Sequence, residues 1–328
     1  MQKSFSHKWI VFLIGLLIMQ VAANFDDYKT AFKDDQFLME SLFQVQETDL
    51  DQDNTSEFVI CGKNYTGREL FAYWMVLGGD GKPTVKWQSP NLFEDRSVLW
   101  VASGKFEGTQ NQLLVLTETN YYLFQYQNGT LNLEKRGSHN IKPLLISGAD
   151  LNGDGRTELV VAGIGKITTK QYDDVVQFWQ FQDGNFVMTG QASGTFGNIR
   201  GLTAGDLNGD GKAEIFIDEG VQNRAGQLHM YGLAENNRLI EKARIAKPNG
   251  VIYAMKVKSG VDGPRLFTAS STGRLNIWSL NASGALVALE KERAFNSSFV
   301  DLAVADQPDA APVILTVAYP RRFMVLCK

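Results

Sequence analysis

Three short acidic stretches place oxygen-bearing side chains on alternate residues. Asp49, Asp51 and Asp53 are followed by Glu57; Asp150, Asn152 and Asp154 by Glu158; Asp206, Asn208 and Asp210 by Glu214. Counted from the first Asp, the side-chain donors fall at positions 1, 3, 5 and 9. Position 7 is Thr55, Arg156 or Lys212, each of which can add its backbone carbonyl. In a tight loop, alternate side chains turn inward on one centre, and hard oxygen donors in a flexible loop suit Ca²⁺ rather than Zn²⁺ or copper. Gly153, Gly155, Gly209 and Gly211 supply the positive-φ turns such a loop needs. An EF-hand begins the same way, but it requires Glu at position 12 and helices on both sides. Position 12 here is Ile60, Val161 or Ile217, and the flanks are apolar, strand-like runs. One Asp-rich turn is ordinarily a solvated loop. Three in register inside one repeat predict about three bound Ca²⁺ ions.

The repeat that positions these loops has its own pattern. Gly148-Ala-Asp-Leu-Asn-Gly-Asp-Gly-Arg-Thr-Glu-Leu-Val-Val161 and Ala204-Gly-Asp-Leu-Asn-Gly-Asp-Gly-Lys-Ala-Glu-Ile-Phe-Ile217 are nearly identical. An apolar run precedes each loop and another follows it. An aromatic-rich hairpin comes next, as in Phe71 to Trp87, Tyr121 to Leu133, Val175 to Met188, Leu228 to Ile240 and Leu275 to Leu289. Each unit therefore holds four strands. Working back from the hairpins exposes three loops without the ninth-position carboxylate: Lys105–Gln112, Lys258–Arg265 and Asp306–Val313. Units begin near residues 42, 98, 144, 200, 251 and 299. Four-stranded units repeated radially predict an all-β fold, a β-propeller of six blades, with seven the alternative. The last unit supplies only three strands, so the ring needs a closing strand from the N-terminal side. The candidates are Gln36 to Glu40 and the segment just before it. Closure of this kind removes an open sheet edge.

Asp-Leu-Asn-Gly-Asp-Gly, followed by a carboxylate and an apolar strand, resembles the FG-GAP/VCBS repeats of integrin-α-like propellers. The resemblance spans nearly all of the chain after its first segment, although only three loops match closely. It implies Ca²⁺ at the three loops named above. The Phe-Gly and Gly-Ala-Pro elements that name the repeat are mostly absent, so integrin-like ligand recognition does not carry over.

At 44% hydrophobic and 11% aromatic residues, a large core is affordable and disorder is excluded. A formal charge of -4 argues against nucleic acid as a partner. Residues 1–23 read as a signal peptide: basic Lys3 and Lys8, an apolar run from Trp9 to Met19, then small Ala22 and Ala23. The run falls short of the ~20 residues that span a bilayer. Residues 24–328 then form one secreted or cell-surface domain, expected as a monomer with no stable membrane span after cleavage. Cys61 and Cys327 are the two cysteines, and they can pair only if the first and last blades are neighbours. His139 and His229 lie in no catalytic motif and are expected at the surface. The chain therefore reads as a binding or adhesion module for an extracellular glycan or protein, not an enzyme. The alternatives are a polysaccharide lyase or hydrolase and an envelope scaffold. Basic residues gather on the face opposite the acidic loops. Arg68, Lys166, Lys170, Arg224, Arg321 and Arg322 lie between second and third strands, and Lys135, Arg136, Lys142, Arg200, Arg244, Lys247 and Arg293 between blades. Tyr65, Tyr172 and Tyr319 lie among them, so an anionic partner is expected.

Overall fold

The apolar run after each loop becomes a strand buried on both faces, which explains why it is continuously hydrophobic rather than alternating. Gln112–Leu116 shows this most clearly, with every residue buried. A computed structural model describes residues 29–327 apart from 35–40, 65–68, 79–80, 93–99, 118, 140, 142–143, 167–171, 197, 222–223, 247–249, 261–262, 290–292, 296–297, 308–309 and 320–321. The segment read as a signal peptide lies outside the described residues. Among the described residues all regular structure is β, and no helix is long and apolar enough to cross a membrane.

The strands form six antiparallel sheets. Each begins with an inner strand: Ser41–Thr48, Trp100–Gly104, Leu145–Ala149, Ile199–Gly205, Ile252–Gly260 and Ser298–Gln307 for blades 1 to 6. These starts lie within about two residues of those read from the repeat. Consecutive inner strands touch, and blade 6 touches blade 1, so the ring closes at six. In blade 5 the outer strand is split, with Leu286–Ala288 and Arg293–Ala294 pairing with different parts of Arg274–Leu280. In blade 6 the outer strand is Lys29–Asp34, which pairs with Arg322–Cys327. The ring is thus closed by the segment just before Gln36; the other candidate lies outside the described residues.

Apolar packing holds the blades together, with one buried cluster at each of the six interfaces. Polar side chains on inner strands add links to the next blade. Val101 N donates to Gln44 Oε1 (2.8 Å), Ala204 N to Ser147 Oγ (3.0 Å) and Val45 N to Asp301 Oδ2 (2.9 Å). Cys61 is buried and Cys327 half-buried, and no disulfide joins them. Burial pushes both thiols up. His229 is not at the surface. It sits on the third strand of blade 4, opposite Ile217, and stacks on Tyr231 with ring centroids 5.7 Å apart.

Asp218 is a fully buried carboxylate at the interface of blades 4 and 5. Its Oδ2 accepts from Ile252 N (3.1 Å), and among the described residues Oδ1 has no hydrogen-bond partner. Burial, with a smaller contribution from Glu219, pushes its carboxyl up to about 7. In the unfolded chain such a group titrates near about 4. The folded state therefore holds the proton more tightly. The stability this confers is complete below about pH 4 and is lost as pH rises through about 7. Asp218→Asn should remove that loss. Urea unfolding at pH 8 should find the variant more stable than the parent, with roughly 4 kcal/mol as the ceiling, and the gap should close by pH 4. A parent whose stability is flat across this window would refute the assignment.

Candidate metal loops

Each acidic loop connects the inner strand of its blade to the second strand, in blades 1, 3 and 4. The residue at position 2 explains the recurring Asp-Leu pair. Leu50, Leu151 and Leu207 are all buried in the blade interfaces and pin the loops to the core. Their backbone N–H groups donate to Oε2 of Glu57 (3.0 Å), Glu158 (2.9 Å) and Glu214 (3.0 Å). Each Glu opens the second strand and is buried. Its second oxygen, Oε1, is left for the loop.

The loop backbone wraps around the first Asp. Asp150 Oδ1 accepts from Gly153 N and Oδ2 from Gly155 N, both at 2.7 Å. Asp206 does the same with Gly209 (2.6 Å) and Gly211 (2.8 Å). The four glycines have φ between 78° and 86°. Blade 1 has Gln52 and Asn54 at these positions, with φ of 59° and 65°. The left-handed turns therefore survive without glycine, at a cost that Asn tolerates better than Gln. At position 5, Asp53, Asp154 and Asp210 each accept from the N–H of position 7. That bond is the main cause holding the Asp53 and Asp210 carboxyls below the ordinary range.

The charge inside the loops is handled in two ways. In blade 3, Asn152 Nδ2 bridges Asp154 Oδ2 (3.1 Å) and Glu158 Oε1 (3.0 Å), and Gln180 Nε2 reaches Glu158 Oε1 at 3.2 Å. In blade 4, Asn208 Nδ2 bridges Asp210 Oδ2 (3.0 Å) and Glu214 Oε1. Burial, then the charges of Asp154 and Asp150, push Glu158 up to about 7. Burial also raises Glu214. A buried carboxyl beside two others fits a cation, whose charge would reverse that shift. In blade 1, Asp51 replaces Asn and cannot donate. There Lys86 Nζ takes the bridging place, 2.9 Å from Glu57 Oε1 and 3.2 Å from Asp51 Oδ2. Among the described residues, one group of three carboxylates has ligand oxygens within 4.8 Å of one another: Asp49, Asp51 and Glu57. Burial raises the Glu57 carboxyl and opposes charge on Lys86, but hydrogen bonds to Glu57 and Asp51 lift the ammonium above its ordinary value.

Lys86 carries no signal in the sequence, because its position depends on register. It is the extra residue of a β-bulge in the outer strand of blade 1, between Val85 and Trp87. The corresponding bulge residue is Glu134 in blade 2, Thr189 in blade 3 and Lys242 in blade 4. Glu134 faces Gln112, which stands where blades 1, 3 and 4 have the ninth-position Glu, with Gln112 Nε2 donating to Glu134 Oε2 at 2.8 Å.

The three loops without a carboxylate at position 9 differ from one another. That of blade 2 stays wide, anchored by buried Phe106. In blades 5 and 6 the ladder continues through residues read as loop, to Gly260↔Gly263 and Gln307↔Ala310. Without buried carboxylates to organise a wide loop, backbone pairing takes those residues.

The opposite face has a different character. At the starting ends of the inner strands a cavity of about 550 Å³ opens on the ring axis. Trp100, Leu144, Tyr253, Phe299 and Val300 line it, with Arg200 and Lys256. Lys256 Nζ donates to Gln46 Oε1 (2.9 Å) and Lys258 Nζ to Glu47 Oε1 (2.9 Å), which ties blade 5 to blade 1. Arg68, Lys170, Arg321, Lys142, Lys247 and Tyr65 lie outside the described residues. For Lys166, Arg224, Arg293, Tyr172 and Tyr319 the strand positions alone are described.

Residues 150–217 match the FG-GAP-like repeat family. That span runs from the acidic loop of blade 3 through the acidic loop of blade 4. No curated protein matches the chain. Two crystal structures of BBS1N in complex with ARL6DN, one soaked with lead and one with mercury, are similar in fold. Each has a TM-score of 0.55 and covers 92% of this chain and 96% of its own, at 12% and 14% identity. Likeness at that identity concerns the fold alone.

Proposed function

We propose that this chain, an FG-GAP-type β-propeller, is an exported, calcium-stabilised binding module that engages a protein partner at the mouth of its central cavity. The observation that carries the reading is the chemistry of that mouth. Leu144 and Val300 are exposed beside Trp100 and Tyr253. Arg200 at the rim makes no ion pair among the described residues. An apolar, aromatic cup with an available guanidinium suits an acidic, apolar patch or segment of a protein. The BBS1N structures hold a protein partner, which supports protein recognition by a propeller of this shape. Calcium fits the donor sets of the acidic loops, and extracellular modules of this kind work with weak sites at high ambient Ca²⁺. The basic, apolar, small-residue order of residues 1–23 supports export.

The test probes purified protein with arrays of acidic and neutral peptides and a panel of anionic polysaccharides, at about 0.05 and 0.3 M salt. Binding to acidic, apolar peptides is expected. Arg200→Glu should weaken it about tenfold and flatten its salt dependence, with calcium content unchanged. Equal binding by the variant would remove this face as the site. New unsaturated sugar ends would replace the binding reading with a lyase.

A further inference from the structure

The three acidic loops are alike in backbone and differ in what neutralises them. In blade 1 the Lys86 ammonium contacts Glu57 Oε1 and Asp51 Oδ2, two oxygens that a cation in this loop would need. It also lies over the Trp74 ring, 4.9 Å from the centroid. Trp gives the strongest cation–π attraction of the aromatic side chains. The corresponding residues on the third strands are Phe178 in blade 3 and Met230 in blade 4, judged by their pairing with the residue two beyond the ninth-position Glu. Blade 3 has uncharged Thr189 at the bulge. Blade 4 has Lys242, which forms neither a hydrogen bond nor an ion pair with Glu214 or Asp210 among the described residues, while Asn208 bridges them. Two features peculiar to blade 1 thus agree: the loop has one carboxylate more, at Asp51, and an ammonium is held against it by an aromatic face.

We infer that Lys86 serves as the resident cation of the first loop, so that blade 1 takes no Ca²⁺ and the ions go to blades 3 and 4. This rests on the calcium reading of the loops and adds to it the residue that decides which loops are filled. A built-in ammonium keeps the loop folded at any calcium concentration. It also leaves blade 1, which sits beside the closing seam, independent of metal supply.

Metal content per folded chain is the deciding measurement, by elemental analysis and native mass spectrometry after equilibration with CaCl₂. The parent should carry two Ca²⁺ and Lys86→Met three. Glu158→Gln should lower the count by one in both backgrounds. Lys86→Gln serves as the second variant if the Met variant does not fold. Three ions in the parent, or equal counts in parent and both Lys86 variants, would overturn the assignment. No Ca²⁺ in any of these proteins would instead remove the calcium reading itself, so the two failures are distinguishable.

Discussion

Deleting residues 29–34 should abolish cooperative unfolding of the propeller. These residues form the outer strand of blade 6 and pair along Arg322–Cys327, from Lys29↔Cys327 to Asp34↔Phe323. Phe32 packs edge-on against Phe323, with centroids 6.3 Å apart, within the apolar cluster that joins blade 6 to blade 1. Removing the strand strips that contact and exposes a full row of backbone donors and acceptors on an apolar strand. Such an edge invites pairing with another chain. Phe32→Ala alone should cost about 3 kcal/mol. Thermal denaturation followed by circular dichroism, with size-exclusion chromatography, reads both effects. A deletion variant that melts like the parent and elutes at the same volume would show that the ring does not depend on this strand.

Chelation is expected to give the second large effect. A ligand that binds the folded state alone stabilises it by about 2.7 kcal/mol per site at a hundredfold excess over its Kd. Two filled loops therefore contribute about 5 kcal/mol, and their loss should lower Tm by roughly 10 °C. Calorimetry with EDTA and with excess CaCl₂ measures the difference. Asp154→Ala and Asp210→Ala should each remove one ion and about half of the shift. Superimposable melting curves, together with no metal by elemental analysis, would rule out calcium at these loops.

The six blades were legible in the sequence because each carries its own local signals. The hairpin aromatics, the buried second-strand runs and the acidic loops all lie within one unit, so the unit starts fall within about two residues of the observed strands. The longer ladders of blades 5 and 6 were less legible, since how far pairing continues, as at Gly260↔Gly263, is not announced by residue type. Lys86 could not have been found from spacing. It reaches Glu57 and Asp51 from 29 and 35 residues away, through a bulge that no residue type announces. Asp218 gave no signal either, because its burial depends on blade 5 packing against it. The central cavity has the same origin, being made of residues at the starts of six strands distant in sequence.

The seam in blade 6 also sets an order of assembly. Blades 1 to 5 are each built from consecutive residues, so their strand pairs form by closing short loops. Blade 6 joins residues near 30 to residues near 325, as in Thr30↔Leu326. Closing so long a span costs more chain entropy and is slow. That pairing is therefore the one step that local folding cannot complete, and until it occurs the propeller is an open arc with two unsatisfied ends.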